Sequence, residues 1–185
     1  MKEKVPDRIL VGMILFVASE AIFFLMLVLA YANFHKVTGA TAASVLDPVK
    51  TGIFTVALLS SSFTMWLAER SREKETNSVA LWLFATILLG GIFIVGQGIE
   101  YARLVMDNIT ISRDLFGSTF FTLTGFHGLH VIVGLILLSL FLGLAVFGRK
   151  HEPTVIGMQS VAIYWHFVDA VWIVVFSTVY LWRYV

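Results

Sequence analysis

Apolar residues along this chain run continuously rather than alternating, in five stretches at about 9–34, 52–69, 78–101, 117–147 and 156–182. Between them lie polar or breaker-rich segments: "HKVTGATAASVLDPVK", "RSREKETN", "ARLVMDNITISRDLFG" and "GRKHEP". A helix needs roughly 20 mostly apolar residues to cross a bilayer, and each stretch meets or approaches that length. Continuous hydrophobicity separates such spans from barrel strands, whose short segments alternate between lipid and lumen. The pattern predicts an all-α integral membrane protein, a five-transmembrane-helix bundle forming a single membrane domain over 1–185. The connections are short, so consecutive helices are expected to be neighbours.

Composition agrees and narrows the classes. Of the 185 residues 58% are hydrophobic and 14% charged, against about 45–50% and 25% in soluble domains. A net charge of +1, with no basic stripe interleaved with aromatics, gives nucleic acid no purchase. The absence of cysteine excludes disulfides, thiolate metal sites and cysteine nucleophiles. The first apolar run is longer than the core of a signal peptide and contains Glu20, so it is expected to be retained as a span.

Eight positive residues (Lys2, Lys4, Arg8, Arg70, Arg72, Lys74, Arg149, Lys150) fall on one side of the predicted topology and five (Lys36, Lys50, Arg103, Arg113, Arg183) on the other. The positive-inside rule then places the N-terminus in the cytoplasm and the C-terminus outside. Aromatic residues are expected to mark the two interfaces, Trp66 and Trp82 inside, Tyr101, Tyr180, Trp182 and Tyr184 outside.

The candidate chemistry lies in the polar groups a bilayer should reject. Glu20 sits near the centre of the first span, His127 and His130 one turn apart in the fourth, and His166 and Asp169 in the fifth. At 1.5 Å per residue the histidines of the fourth span lie about 15–20 Å deep, so all five are expected to meet near the midplane. Gln97 and Glu100 lie near the outer end of the third span. One carboxylate at the bilayer centre costs roughly 2.5–3.5 kcal/mol on insertion scales. Three chemistries fit. The i,i+3 pairs could ligate a metal or haem; the groups could relay protons, although they cluster at one depth; or they could be hydrogen-bonding partners that hold the helices in register.

Longer motifs separate these. "GSTFFTLTGFHGLHVIVG" (117–134) and "YWHFVDAVWIVVFSTVYLW" (164–182) resemble the two signature stretches of subunit III of the haem–copper respiratory oxidases. "ASEAIFFLMLVLAY" (18–31) resembles that family's Ser-Glu-x-x-Phe-Phe helix, and "GQGIEY" (96–101) its Gln-x-x-Glu-Tyr helix end. The likeness is collinear over essentially the whole chain. It implies the short, five-helix bacterial form of a family that often has two further N-terminal helices, which build one arm of a lipid-filled cleft. Gln159 stands where many relatives carry a glutamate ahead of the Tyr-Trp-His-Phe motif, so an interaction of that carboxylate is expected to be missing or weaker here.

The resemblance implies a non-catalytic core subunit of a proton-pumping cytochrome c oxidase in the bacterial plasma (inner) membrane. On that reading the chain binds no haem and no copper; both lie in partner subunits. It packs against subunit I, associates with subunit II, holds phospholipid and sustains proton uptake. It also implies that Glu20 is the family's carbodiimide-reactive carboxyl. Glu20, His127, His130, His166 and Asp169 are then expected to form one structural network, with Glu20 donating to an imidazole. A subunit III for a quinol oxidase or nitric oxide reductase is the alternative inside the family. An independent haem- or metal-binding membrane enzyme is the alternative outside it. The electron donor, the haem type and membership of a larger respiratory assembly lie beyond these residues.

Overall fold

The computed structural model describes residues 8–74, 78–147 and 154–182. Lys2, Lys4, Arg149, Lys150, Arg183 and Tyr184, used above for orientation, lie outside them. Five helices carry the chain: α1 (Arg8–Val45), α2 (Pro48–Glu73), α3 (Val79–Met106), α4 (Leu115–Phe147) and α5 (Val155–Phe176), the last continuing as a π-helical stretch, Ser177–Leu181. All five are long and apolar enough to cross a membrane, and no strand occurs among the described residues.

The helices outrun the apolar stretches wherever nothing in the backbone stops them. α1 passes through Gly39 and the small residues after it and ends only at Val45. One helical glycine costs about 1 kcal/mol, which the flanking turns absorb. The break comes from Asp47-Pro48. Proline disfavours a helical conformation in the residue before it and suits the first helical position. The Asp47 carboxylate caps α2, accepting the Val49 amide at 3.1 Å and the Lys50 amide at 3.2 Å. These backbone N–H donors, Lys50 foremost, hold the Asp47 carboxyl below the usual carboxylate range. Asp114 caps α4 through the Gly117 amide (2.7 Å), and Thr154 caps α5 through Gly157 (3.0 Å).

α3 ends differently. Asn108 adopts φ 58°, and the amides of Ile109 and Asn108 turn back to the carbonyls of Leu104 (2.8 Å) and Val105 (3.0 Å). This is a Schellman closure with asparagine at the left-handed position, and Leu104 and Ile109 are both buried against it.

α5 is the centre of the bundle. It packs on α1, α2 and α4 and reaches α3 through two indoles. Trp165, fully buried, lies between two glycines: a Cβ on Gly90 of α3 or on Gly134 of α4 would meet its ring at 2.8 Å. The Trp165 Nε1–H donates to Ser61 Oγ of α2 at 3.0 Å. One side chain therefore joins four helices, and the absent glycine side chains make room for it.

Candidate functional site

The five residues expected at the midplane do not join into one network. They form two separate clusters and one isolated ring. In the first cluster His130 Nε2 lies 3.1 Å from Glu20 Oε2, while its Nδ1 lies 2.8 Å from the Phe126 carbonyl. A carbonyl only accepts, so Nδ1 carries a proton. Nε2 then either accepts from a Glu20 O–H, or belongs to an imidazolium that donates to a Glu20 carboxylate. Both arrangements place one proton between α1 and α4. The Tyr164 hydroxyl adds α5, donating to the His130 carbonyl at 2.9 Å.

In the second cluster Ser62 of α2 joins two residues of α5. Its hydroxyl donates to Asp169 Oδ2, so it accepts from His166 Nδ1–H at 3.0 Å. Asp169 is almost wholly buried, and its Oδ1 has no partner among the described residues.

His127 belongs to neither cluster. It is completely buried, and neither ring nitrogen has a hydrogen-bond partner among the described residues. Its imidazole stacks on Trp172 (centroids 4.8 Å apart, 26° between planes), with the rings of Phe93 and Phe24 edge-on at 5.9 and 6.4 Å. Phe24 also packs on His130 at 4.9 Å, so an aromatic ring contacts both imidazoles. Spacing puts His127 and His130 on neighbouring positions of α4, but which helix each faces is decided by packing. Among the described residues no three of His, Asp and Glu converge as a metal-ligand group.

At the end of the bundle holding the α1–α2 turn, the third-span pair divides its work. Gln97 Nε2 donates to the Thr124 carbonyl (2.9 Å) and to Tyr101 Oη (3.2 Å). Thr124 Oγ1 donates to the Phe120 carbonyl at 2.7 Å and so accepts from the Tyr101 hydroxyl, also at 2.7 Å. Gly128 leaves space for this crossing: a Cβ there would stand 3.0 Å from Gln97 Oε1. Glu100 accepts the Tyr180 hydroxyl at 2.6 Å and lies 3.2 Å from Thr51 Oγ1. Tyr180 is therefore buried, not an interface anchor: its hydroxyl finds a carboxylate inside the protein. Trp66, at the opposite end, is half-exposed with the Arg70 guanidinium 4.9 Å from its ring centroid, as an interfacial aromatic would be. Gln159 lies half-buried in the first turns of α5.

The sequence pattern missed the hydroxyls of α2. Ser61 and Thr55 each donate back to their own helix (Leu58 and Thr51 carbonyls, 2.6 and 2.9 Å) and accept an α5 indole, Trp165 at 3.0 Å and Trp172 at 2.9 Å. With Thr51 and Ser62 they make a ladder along the antiparallel α2–α5 seam. A signal was present: "TGIFTVALLSSSFT" repeats hydroxyls at helical spacing, in a span of hydropathy 1.4 where α1 reaches 2.5.

These features define a polytopic α-helical membrane protein whose buried polar groups are engaged mainly in joining helices to one another. The family described as cytochrome c oxidase subunit III matches residues 2–184. Similar chains include cytochrome c oxidase subunit 3 of Synechocystis sp. (37% identical, covering 95% of this chain and 76% of the relative). The probable cytochrome c oxidase subunit 3 of Nocardia farcinica is 38% identical (96% and 90% covered), and the Corynebacterium diphtheriae subunit 3 is 37% identical (95% and 88%). The chain belongs to the cytochrome c oxidase subunit III family, and such a chain is part of an oxidase complex.

Proposed function

We propose that this chain is the non-catalytic subunit III of a proton-pumping terminal oxidase, with cytochrome c as the complex's electron donor and the start of α1 on the cytoplasmic side. It packs against subunit I, steadies it, holds phospholipid and sustains proton uptake, while haems and copper reside in the partner subunits. The observation that carries the reading is how the intramembrane polar groups are used. Glu20–His130 ties α1 to α4, and Ser62 ties α2 to α5. Such bonds contribute about 0.6–2 kcal/mol each in membranes. The outward apolar faces of α1 and α4 are left for lipid and partner subunits, and an apolar groove of about 250 Å³ between α1 and α5, lined by Phe24, Val28, Phe167 and Val174 among others, suits an acyl chain.

The test is purification of the tagged chain from its native membrane in mild detergent, with a reduced-minus-oxidised spectrum and subunit identification on the same sample. Haem absorbance that travels with a larger second subunit, and leaves when this chain is stripped away, is the expected result. Haem or metal retained by the isolated chain would overturn it and return His127, His130 and His166 to consideration as ligands. A subunit II lacking a dinuclear copper motif in the same complex would replace cytochrome c by quinol as donor.

A further inference from the structure

Beside Glu100 a cavity of about 100 Å³ lies between α2 and α3, its polar lining Asp47, Lys50, Thr51, Gln97, Glu100 and Arg103. Phe93 and Trp172 line it too. Lys50 is exposed and Asp47 and Arg103 are partly so, and these residues form a rim open to water near the α1–α2 turn. The lining is mostly apolar, with its polar groups at Glu100 and the rim, and beside such groups about 10–15 Å³ is enough to hold one water. We propose that this cavity is a water-filled vestibule and that Glu100 is a proton-exchange site served by it, on the membrane face opposite the start of α1.

The hydroxyl geometry carries the inference. Thr51 Oγ1 lies 3.1 Å from the Asp47 carbonyl and 3.2 and 3.3 Å from the two oxygens of Glu100. One hydroxyl proton cannot serve all three acceptors at once. With Glu100 ionised, Thr51 donates to the carboxylate. With Glu100 protonated, the carboxyl donates to Thr51, whose hydroxyl turns to the Asp47 carbonyl. Tyr180 donates to Oε2 in either state. Exchange therefore requires one hydroxyl rotation: the carboxyl O–H breaks, its proton passes to a vestibule water, and the reverse step restores it. The other titratable groups in the surroundings are Asp47, Lys50, Arg103 and Tyr101.

Infrared difference spectroscopy on the intact complex in native-membrane patches tests this, with Glu100→Gln identifying the Glu100 carboxyl band and Lys50→Trp placing a ring over the rim. Retention of each variant in the complex shows that it has folded. The expected result is a Glu100 acid band that titrates reversibly, shifts promptly in D2O, and shifts at least about tenfold more slowly in Lys50→Trp. A Glu100 acid band absent at every pH where the complex survives, one that does not shift in D2O, or one that shifts at the same rate in Lys50→Trp would overturn the proposal.

Discussion

α1 and α5 are both membrane spans, yet they are built on opposite terms. In its most apolar window α1 has a mean hydropathy of 2.5 and only 6% of that window is buried inside the protein; α5 has 1.5 and 50%. In burial the other helices fall between, α4 at 17% with a hydropathy of 2.7 and α2 at 39% with 1.4. In water the most hydrophobic helix would be the most buried. In a bilayer, lipid tails satisfy an apolar face as well as Leu or Val does, so high hydropathy marks exposure to the surroundings. Burial goes to helices that offer small residues, hydroxyls and aromatic rings with polar handles. α5 meets Ser61, Ser62 and Thr55 of α2 and fits its Trp165 between Gly90 and Gly134. α1 is held mainly by Glu20 and by Phe24 and Tyr31, the buried aromatics on the same side of the helix.

The contrast is most open to attack at α5. Trp165→Ala should empty the joint between four helices and destabilise the chain by about 3–5 kcal/mol, whereas Leu15→Ala on the exposed face of α1 should leave its stability unchanged. Unfolding of the purified chain by increasing ionic detergent compares the two, and equal losses would erase the distinction. Next in size is Ser62→Ala, which removes the one hydroxyl shared by Asp169 and His166. A loss of about 1–3 kcal/mol is expected in the same assay, the cost of a buried polar group left unsatisfied.

The attachment of α1 is sharpened by comparing Glu20→Ala with Glu20→Gln. The amide N–H can still donate to the free Nε2 lone pair of a neutral His130, so Gln should keep most of the bond and Ala should lose about 0.6–2 kcal/mol. Recovery of the assembled complex after solubilisation reads this, and equal loss in both variants would mean that the proton between Glu20 and His130 holds nothing. The smallest effect belongs to the cap of α2. The Asp47 carboxyl is held below its ordinary range by the amides it caps. Its contribution is therefore fully present above the usual carboxylate pKa of about 3.9 and fades as pH falls through the lower folded value. Faster hydrogen exchange at the Val49 and Lys50 amides under acid, absent in Asp47→Asn, is the expected signature.

How far the sequence could be read depended on the range of each interaction. Five spans and their helical nature follow from continuous apolar length, which is chain-local; the end of α1 at Val45 is also local, set by Asp47-Pro48, but lies beyond the apolar stretch that marked the span. The long motifs around His127–His130 and His166–Asp169 were enough to indicate the family. Position along each helix was legible as well, because a fixed rise per residue converts sequence separation into distance. Facing was not. Helical periodicity groups residues on one side of a helix without saying which neighbour that side meets, and on an all-round apolar span it barely marks the side at all.

So His127 and His130, adjacent on α4, part company in the fold, one enclosed by Trp172, Phe93 and Phe24, the other paired with Glu20. Gln97 and Glu100, three residues apart, turn one to α4 and the other to Thr51 and Tyr180. The sequence by itself determined that this chain carries five membrane-spanning helices, where their apolar stretches lie, and which ionisable residues fall inside them. Only the tertiary structure decided what each of those residues meets. Pairing depends on the rotation of each helix about its axis, and that rotation is set by close contacts such as Trp165 between Gly90 and Gly134, made by residues far apart along the chain.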